Sequence, residues 1–122
     1  MTLTESRINL AADFYSKYIL DIDRIFTKLK GFHDEAMKVE LFFLKDHEIS
    51  IVLENDAVDM IIESFAYEST TQEDLRKRFS DDFALGFKLI REKTGKDRFF
   101  ITRQALFDPE KYINRLIKTE LK

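Results

Sequence analysis

The stretch Glu48-Ile49-Ser50-Ile51-Val52-Leu53-Glu54-Asn55-Asp56-Ala57-Val58-Asp59-Met60-Ile61-Ile62 changes its hydrophobic period in the middle, and that change decides the fold. From Glu48 to Leu53 apolar and polar residues alternate and β-branched side chains dominate, which reads as a short strand half buried on one face. From Asn55 to Tyr67 the period becomes helical. Ala57, Val58, Ile61, Ile62 and Phe65 line one side, and Asp56, Asp59 and Glu63 are expected to face water on the other. A strand that runs straight into an amphipathic helix calls for an α+β arrangement.

Downstream, Ser69-Thr70-Thr71 interrupts the helix, and Thr70 with Glu73, or Thr71 with Asp74, can form a capping box for the next one. That helix is expected over Gln72 to Lys93, with Leu75, Phe79, Phe83, Phe87 and Ile90 as its apolar stripe. Gly86 inside it points to a close helix contact, because an interior glycine otherwise costs about 1 kcal/mol. After Thr94-Gly95, the run Arg98 to Thr102 reads as a second strand able to pair with Ile49 to Leu53. Asp108-Pro109 supplies the N-cap and first residue of a last helix through Tyr112, Ile113, Leu116 and Ile117.

Upstream, Ile8, Ala12, Tyr15, Ile19, Ile22, Phe26 and Leu29 recur at spacings of four and three, flanked by a second stripe of Ala11, Phe14, Tyr18 and Ile25. We read residues 1–30 as one long amphipathic helix, capped by Thr4 and stopped at Gly31, that docks on its own domain or on a neighbour. Ile8, Tyr15, Ile19 and Ile22 are its candidate interface residues. From Asp34 to Asp46 the pattern suits helix or strand, and helix is preferred. The expected architecture is a mostly helical α+β domain of about four to five helices with a small two-stranded sheet.

With 122 residues the chain is long enough for one core, so residues 1–122 are taken as a single domain. Twelve Phe and four Tyr against no Trp make that core aromatic, each buried ring contributing on the order of 1.5–3 kcal/mol. Three Gly and one Pro leave little for the many tight turns of a sandwich or barrel. The lack of cysteine excludes disulfides and thiolate chemistry and fits a reducing compartment. Glu5, Arg7 and Asn9 break up the amino terminus, so no signal-peptide run is present there, and nowhere do some twenty apolar residues run together. A cytoplasmic location without membrane insertion is the resulting expectation.

Charge is segregated along the chain. Residues 1–75 carry 7 basic and 16 acidic side chains, whereas residues 76–103 carry 9 basic and 4 acidic ones. Such a division fits a polar interface with an acidic partner surface, in which Arg78 is a candidate contact, or self-complementary charge within the fold. Arg76-Lys77-Arg78 with the later cations, and Phe99 and Phe100 on a strand, also raise nucleic-acid binding. Adjacent strand residues point to opposite faces, however, so at least one of those rings belongs to the core, and Asp81, Asp82, Glu92 and Asp97 dilute the field.

No two of Gly31, Gly86 and Gly95 lie close enough for a phosphate-binding loop. His33-Asp34 and Asp46-His47-Glu48 are the places where His meets carboxylates, too few ligands for a metal site, and surface roles are expected for both His. No serine carries the signature of an activated nucleophile. The isolated chain is therefore expected to be neither an enzyme nor the holder of a metal or cofactor.

Read together, Leu44-Lys45-Asp46-His47-Glu48 and the strand and helix that follow to Ile62 resemble the start of the C-terminal small domain, the lid, of AAA+ ATPases of the Clp unfoldase type. The resemblance runs through a second helix and the strand at Phe99 to Thr102, covering residues 41–117. It implies a lid that packs over a nucleotide held by a preceding P-loop domain, so that ATP and Mg enter through that domain, and that passes nucleotide state to the next subunit of a ring. The family places Gly-Ala-Arg at the start of the second lid helix, followed one residue later by Leu-Arg. Leu75-Arg76 fits the end of that pattern, but the arginine's position falls on Glu73, whose carboxylate would repel a triphosphate. Arg76, one turn on, is then the candidate nucleotide-facing residue. The implied partner is a P-loop ATPase domain or another protein subunit. The alternative is an adaptor or regulator that forms a homo-oligomer through its first helix.

Overall fold

The computed structural model describes residues 2–18 and 22–121. Its elements are α1 (Glu5–Tyr18), α2 (Ile22–His47), β1 (Ser50–Leu53), α3 (Asn55–Tyr67), α4 (Gln72–Phe79), a π-helical turn (Ser80–Ala84), α5 (Leu85–Thr94), β2 (Arg98–Ile101), α6 (Arg103–Phe107) and α7 (Pro109–Glu120). This is the mostly helical α+β class read from the sequence.

β1 and β2 pair in parallel, Ser50 opposite Arg98 through Leu53 opposite Ile101. Ile51, Leu53, Phe99 and Ile101 point into the core and Phe100 points out. A two-stranded sheet has two open edges, and here a helix side chain occupies each. Ser50 and Glu54 donate their N–H groups toward β2, so by the two-residue alternation the Leu53 N–H faces away, where it meets Glu40 Oε2 of α2 at 2.8 Å. On the far edge, Tyr112 of α7 donates its hydroxyl to the Phe100 carbonyl at 2.7 Å. Each edge thus has one outward backbone group already answered by a helix side chain.

The first helix differs from expectation. In one straight helix Phe14 and Phe32 would stand about 27 Å apart at 1.5 Å per residue. Their ring centroids are 6.2 Å apart, so α1 and α2 lie against each other rather than end to end. Gly31 is no stop, because α2 continues through it to His47 and includes the Asp34 to Asp46 segment for which a helix was preferred. Lys45 in the last turn suits the negative end of that helix. Glu48 closes it in the left-handed region at φ 57°, a place glycine usually takes, and Arg91 donates to the carbonyls of His47 and Glu48 at 3.0 and 3.3 Å.

The helix foreseen over Gln72 to Lys93 is α4, the π turn and α5 in one run. Thr71 and Asp74 form the capping box reciprocally, and Gly95 ends the run at φ 79°. Phe79, Phe83 and Phe87 stand four apart, a spacing that drifts by about 40° per step around an ideal α-helix. The wider turn at Ser80–Ala84 absorbs that drift, and all three rings stay fully buried. Gly86 is the close contact the sequence suggested: a Cβ there would sit 2.7 Å from Ile113 Cγ2 of α7. Thr102 caps α6, an element too short to show a stripe, and Asp108 caps α7 ahead of Pro109.

Candidate interaction surfaces

Asp56 of α3 is exposed as expected, but Asp59 and Glu63 do not belong to a solvated face. Asp59 is buried beside α1, where Arg7, itself 1 % exposed, donates from Nε to Asp59 Oδ1 at 2.7 Å and the Thr4 hydroxyl reaches the same oxygen at 3.0 Å. Glu63 accepts a two-pronged pair from Arg103 at 3.1 and 3.0 Å and a hydrogen bond from Ser6 at 2.8 Å. The Arg103 hydrogen bonds are the main reason its carboxyl lies below the usual range. Asp56 accepts the Arg103 backbone N–H at 3.1 Å. Helical periodicity alone placed these groups outward, but α1 packs over that side of α3 and takes two of them as partners.

The charge segregation resolves in the same way. Arg76 pairs with Asp46, Arg103 with Glu63, and Lys96 with Glu120, each across the fold, while Arg78 lies 3.6 Å from Asp82 one turn along. Arg91 holds the end of α2, and the Arg98 guanidinium sits over the Phe100 ring at 5.4 Å. Four of the nine cations in the basic stretch thus meet carboxylates of their own chain, which weakens the field available to a phosphate backbone. Phe99 is core and Phe100 is half exposed under Arg98, so the two rings form no continuous stacking platform.

Arg76, the residue chosen as nucleotide-facing, holds Asp46 from Nε at 2.7 Å and lies 4.7 Å from the centre of the Phe42 ring. It therefore ties α4 to α2. The contact draws the Asp46 carboxyl below its usual range, mainly by hydrogen bonding, and raises Arg76 by the same bond. Glu73, at the position where the lid family carries arginine, is exposed in the first turn of α4. Arg78 donates from Nη2 to the Leu106 carbonyl at 3.1 Å, fastening α4 to α6.

Ile8, Tyr15 and Ile22, the candidate interface residues, are 52, 60 and 62 % exposed, and Leu3 and Phe26 add to the exposed apolar side chains of this end of the fold. Ile19 lies outside the described residues. Leu29, read as part of the same stripe, is wholly buried, and the faces that pack inward carry Leu10, Phe14 and Ile25. The structure brings Ile8 and Tyr15 onto one exposed side of α1, away from Arg76 and Arg78 on α4. Among the described residues no group of three or more His, Asp or Glu could hold a metal ion, and no helix is long and apolar enough to cross a membrane.

His47 is half-buried rather than free on the surface. Its ring packs 4.8 Å from the Phe43 ring, Nε2 stands 2.8 Å from Ser80 Oγ at the start of the π turn, and Nδ1 is buried with no partner among the described residues. Desolvation, then the nearby Lys88 charge, pushes its pKa below 6.5 against the opposing pull of Asp46. The folded state thus prefers the neutral ring. As pH falls below about 6.5 the unfolded chain takes up a proton that the folded chain resists, and stability is lost down to the lowered folded value. We expect the urea midpoint to fall between pH 7.5 and pH 5.5, with the His47→Gln variant flat over that window. The lowered carboxylates Glu35, Asp46, Glu63 and Asp74 act in the same direction only below about pH 4.5. An unchanged slope in His47→Gln would assign the effect elsewhere.

No protein family, characterised protein or solved structure matches this chain.

Proposed function

We propose that the chain is a non-catalytic lid and interaction domain of an AAA+ ATPase, coupling nucleotide state in a neighbouring P-loop domain to contacts between subunits. The supporting observation is the order helix, strand, helix, helix, strand over α2 to β2, closed by a parallel two-stranded ladder, which is the order the resemblance implies. The exposed Ile8, Tyr15 and Ile22 give such a lid an apolar face to set against its neighbour. The coupling in this reading is mechanical. Arg76 would have to leave Asp46 before it could face a nucleotide, and Glu73 repels one.

Four observations test this. The purified chain incubated with MgATP should release no phosphate above the blank, and turnover would overturn the reading. In the reading frame upstream, a Walker A motif supports the lid and a stop codon just before Met1 counts against it. With a P-loop domain identified in this way, Ile8→Asp combined with Ile22→Asp should weaken docking at least about tenfold. The thermal melt should stay nearly unchanged, since substitutions at exposed sites move stability by only about 0.5 kcal/mol. If instead the chain alone is a dimer by light scattering and the same double substitution makes it monomeric, the adaptor that self-associates through its first helix replaces the lid.

A further inference from the structure

The most amphipathic helix of the fold is also the least buried. α7 contains no fully buried residue, and Ile113, Leu116 and Ile117 are only half covered. Where α7 crosses α5 at Gly86, an open groove of about 570 Å³ runs between the two helices. Its apolar floor is formed by Leu85 and Leu89 from α5 and by Ile113 and Ile117 from α7, and Leu85 is 83 % exposed, the most exposed large apolar side chain described. Around that floor stand four carboxylates, Asp81, Asp82, Asp108 and Glu110, and among the described residues no Lys, Arg or His lines the groove. Asp82 is partly answered by Arg78 and Asp108 by the N-terminus of α7, while Asp81 and Glu110 have no hydrogen bond or ion pair among the described residues.

We propose that this groove docks a basic amphipathic helix of a partner protein. The apolar floor calls for a row of Leu- or Ile-sized side chains at helical spacing, and the carboxylate rim calls for Lys or Arg on its flanks. The rim also excludes other occupants. Nucleic acid and anionic lipid would meet four like charges. A second copy offering its exposed α1 face would bring Glu5, exposed in the first turn of that helix, against them. The groove is separate from the α1 face on which the lid reading relies, so either can fail alone.

The test uses an 18-residue Leu–Lys amphipathic peptide, its Leu–Glu counterpart as control, and amide chemical-shift mapping on the full chain. The Leu–Lys peptide should bind with micromolar affinity that weakens with salt, and the Leu–Glu peptide should not bind. Because residues 1–75 hold most of the acidic charge, non-specific attraction would place a basic peptide on α1 to α3. The proposal requires the shifts at Leu85, Gly86, Leu89, Ile113 and Ile117 instead. Leu85→Ser with Leu89→Ser should abolish binding, and Asp81→Lys with Glu110→Lys should weaken it at least about tenfold, with the melts little changed because all but half-buried Leu89 are well exposed. Shifts confined to α1 to α3, equal binding of both peptides, or affinity unaffected by the two double variants would each overturn the proposal.

Discussion

Phe87→Ala is expected to lower the unfolding free energy by about 3–5 kcal/mol, the range for emptying a well-packed phenylalanine site. Phe87 is completely buried, lies stacked on Phe99 of β2 with centroids 4.1 Å apart and planes 2° from parallel, and stacks again on Phe83 at 5.6 Å. Phe43 of α2 and Tyr112 of α7 present edges to it at 6.1 and 6.2 Å. One ring therefore joins the π-turn helix, the sheet, α2 and α7, and each aromatic pair adds roughly 0.5–1.5 kcal/mol beyond the area it hides. Against a total stability of about 5–15 kcal/mol, the variant is marginal at the low end of that range. Urea unfolding followed by circular dichroism measures the loss. Phe87→Leu should keep the fold at a smaller cost, and Phe100→Ala, on the outward face of the strand beside it, should cost little. Equal losses in Phe87→Ala and Phe100→Ala would mean that the aromatic cluster is not the core.

That cluster was legible because its information is local. Leu75, Phe79, Phe83, Phe87 and Ile90 announce one buried face by spacing alone, and Thr71-Gln72-Glu73-Asp74 and Asp108-Pro109 announce helix starts by the chemistry of capping. The first strand was readable from alternation and from β-branched Ile49, Ile51 and Val52, the second as a short apolar run at Phe99 to Ile101, and their pairing was open to expectation once the Asp34 to Asp46 segment was taken as helix. What was not legible depends on elements distant in the chain. A 3.5-residue stripe from Ile8 to Leu29 has the same pattern whether it belongs to one helix or to two laid against each other, and only the contact of Phe14 with Phe32 distinguishes them. The basic stretch looked like a surface for a partner because its carboxylates, Asp46, Glu63 and Glu120, come from elsewhere in the chain. The same reason hid the occupation of Arg76. The α5–α7 groove leaves one trace in the sequence, Leu85 standing off the Phe79-Phe83-Phe87 stripe, but its four carboxylates come from two segments and converge only in the fold.

The Arg7–Asp59 pair yields the second large effect, and its sign depends on how it is removed. Replacing Asp59 alone by Leu leaves a guanidinium that is 1 % exposed, keeps its Nη1 bond to the Thr2 carbonyl at 2.6 Å, and has at Nη2 no partner among the described residues. Removing one member of a buried pair typically costs about 3–5 kcal/mol, because the remaining charge stays desolvated without its counter-ion. We expect that loss in Asp59→Leu and a comparable one in Arg7→Met, where Asp59 would keep only the Thr4 hydroxyl. The double variant should behave differently. With both charges gone the desolvation penalty disappears, Met and Leu fill similar volume, and stability should return to within about 1 kcal/mol of the parent. The pair also holds the start of α1 on α3, while the hydrogen bond from Tyr67 to Asp13 and the Phe14–Phe32 contact hold it further along. In Asp59→Leu the amides of Ile8 to Leu10 should exchange faster than those at the far end of α1, and in the double variant they should regain protection. Urea midpoints for the four proteins close the cycle, and two losses of about 3–5 kcal/mol that shrink to about 1 kcal/mol in the double variant amount to a coupling of roughly 5–9 kcal/mol. If the two single losses simply add in the double variant, Arg7 and Asp59 act independently, and what holds α1 in place is the packing of Leu10 and Phe14.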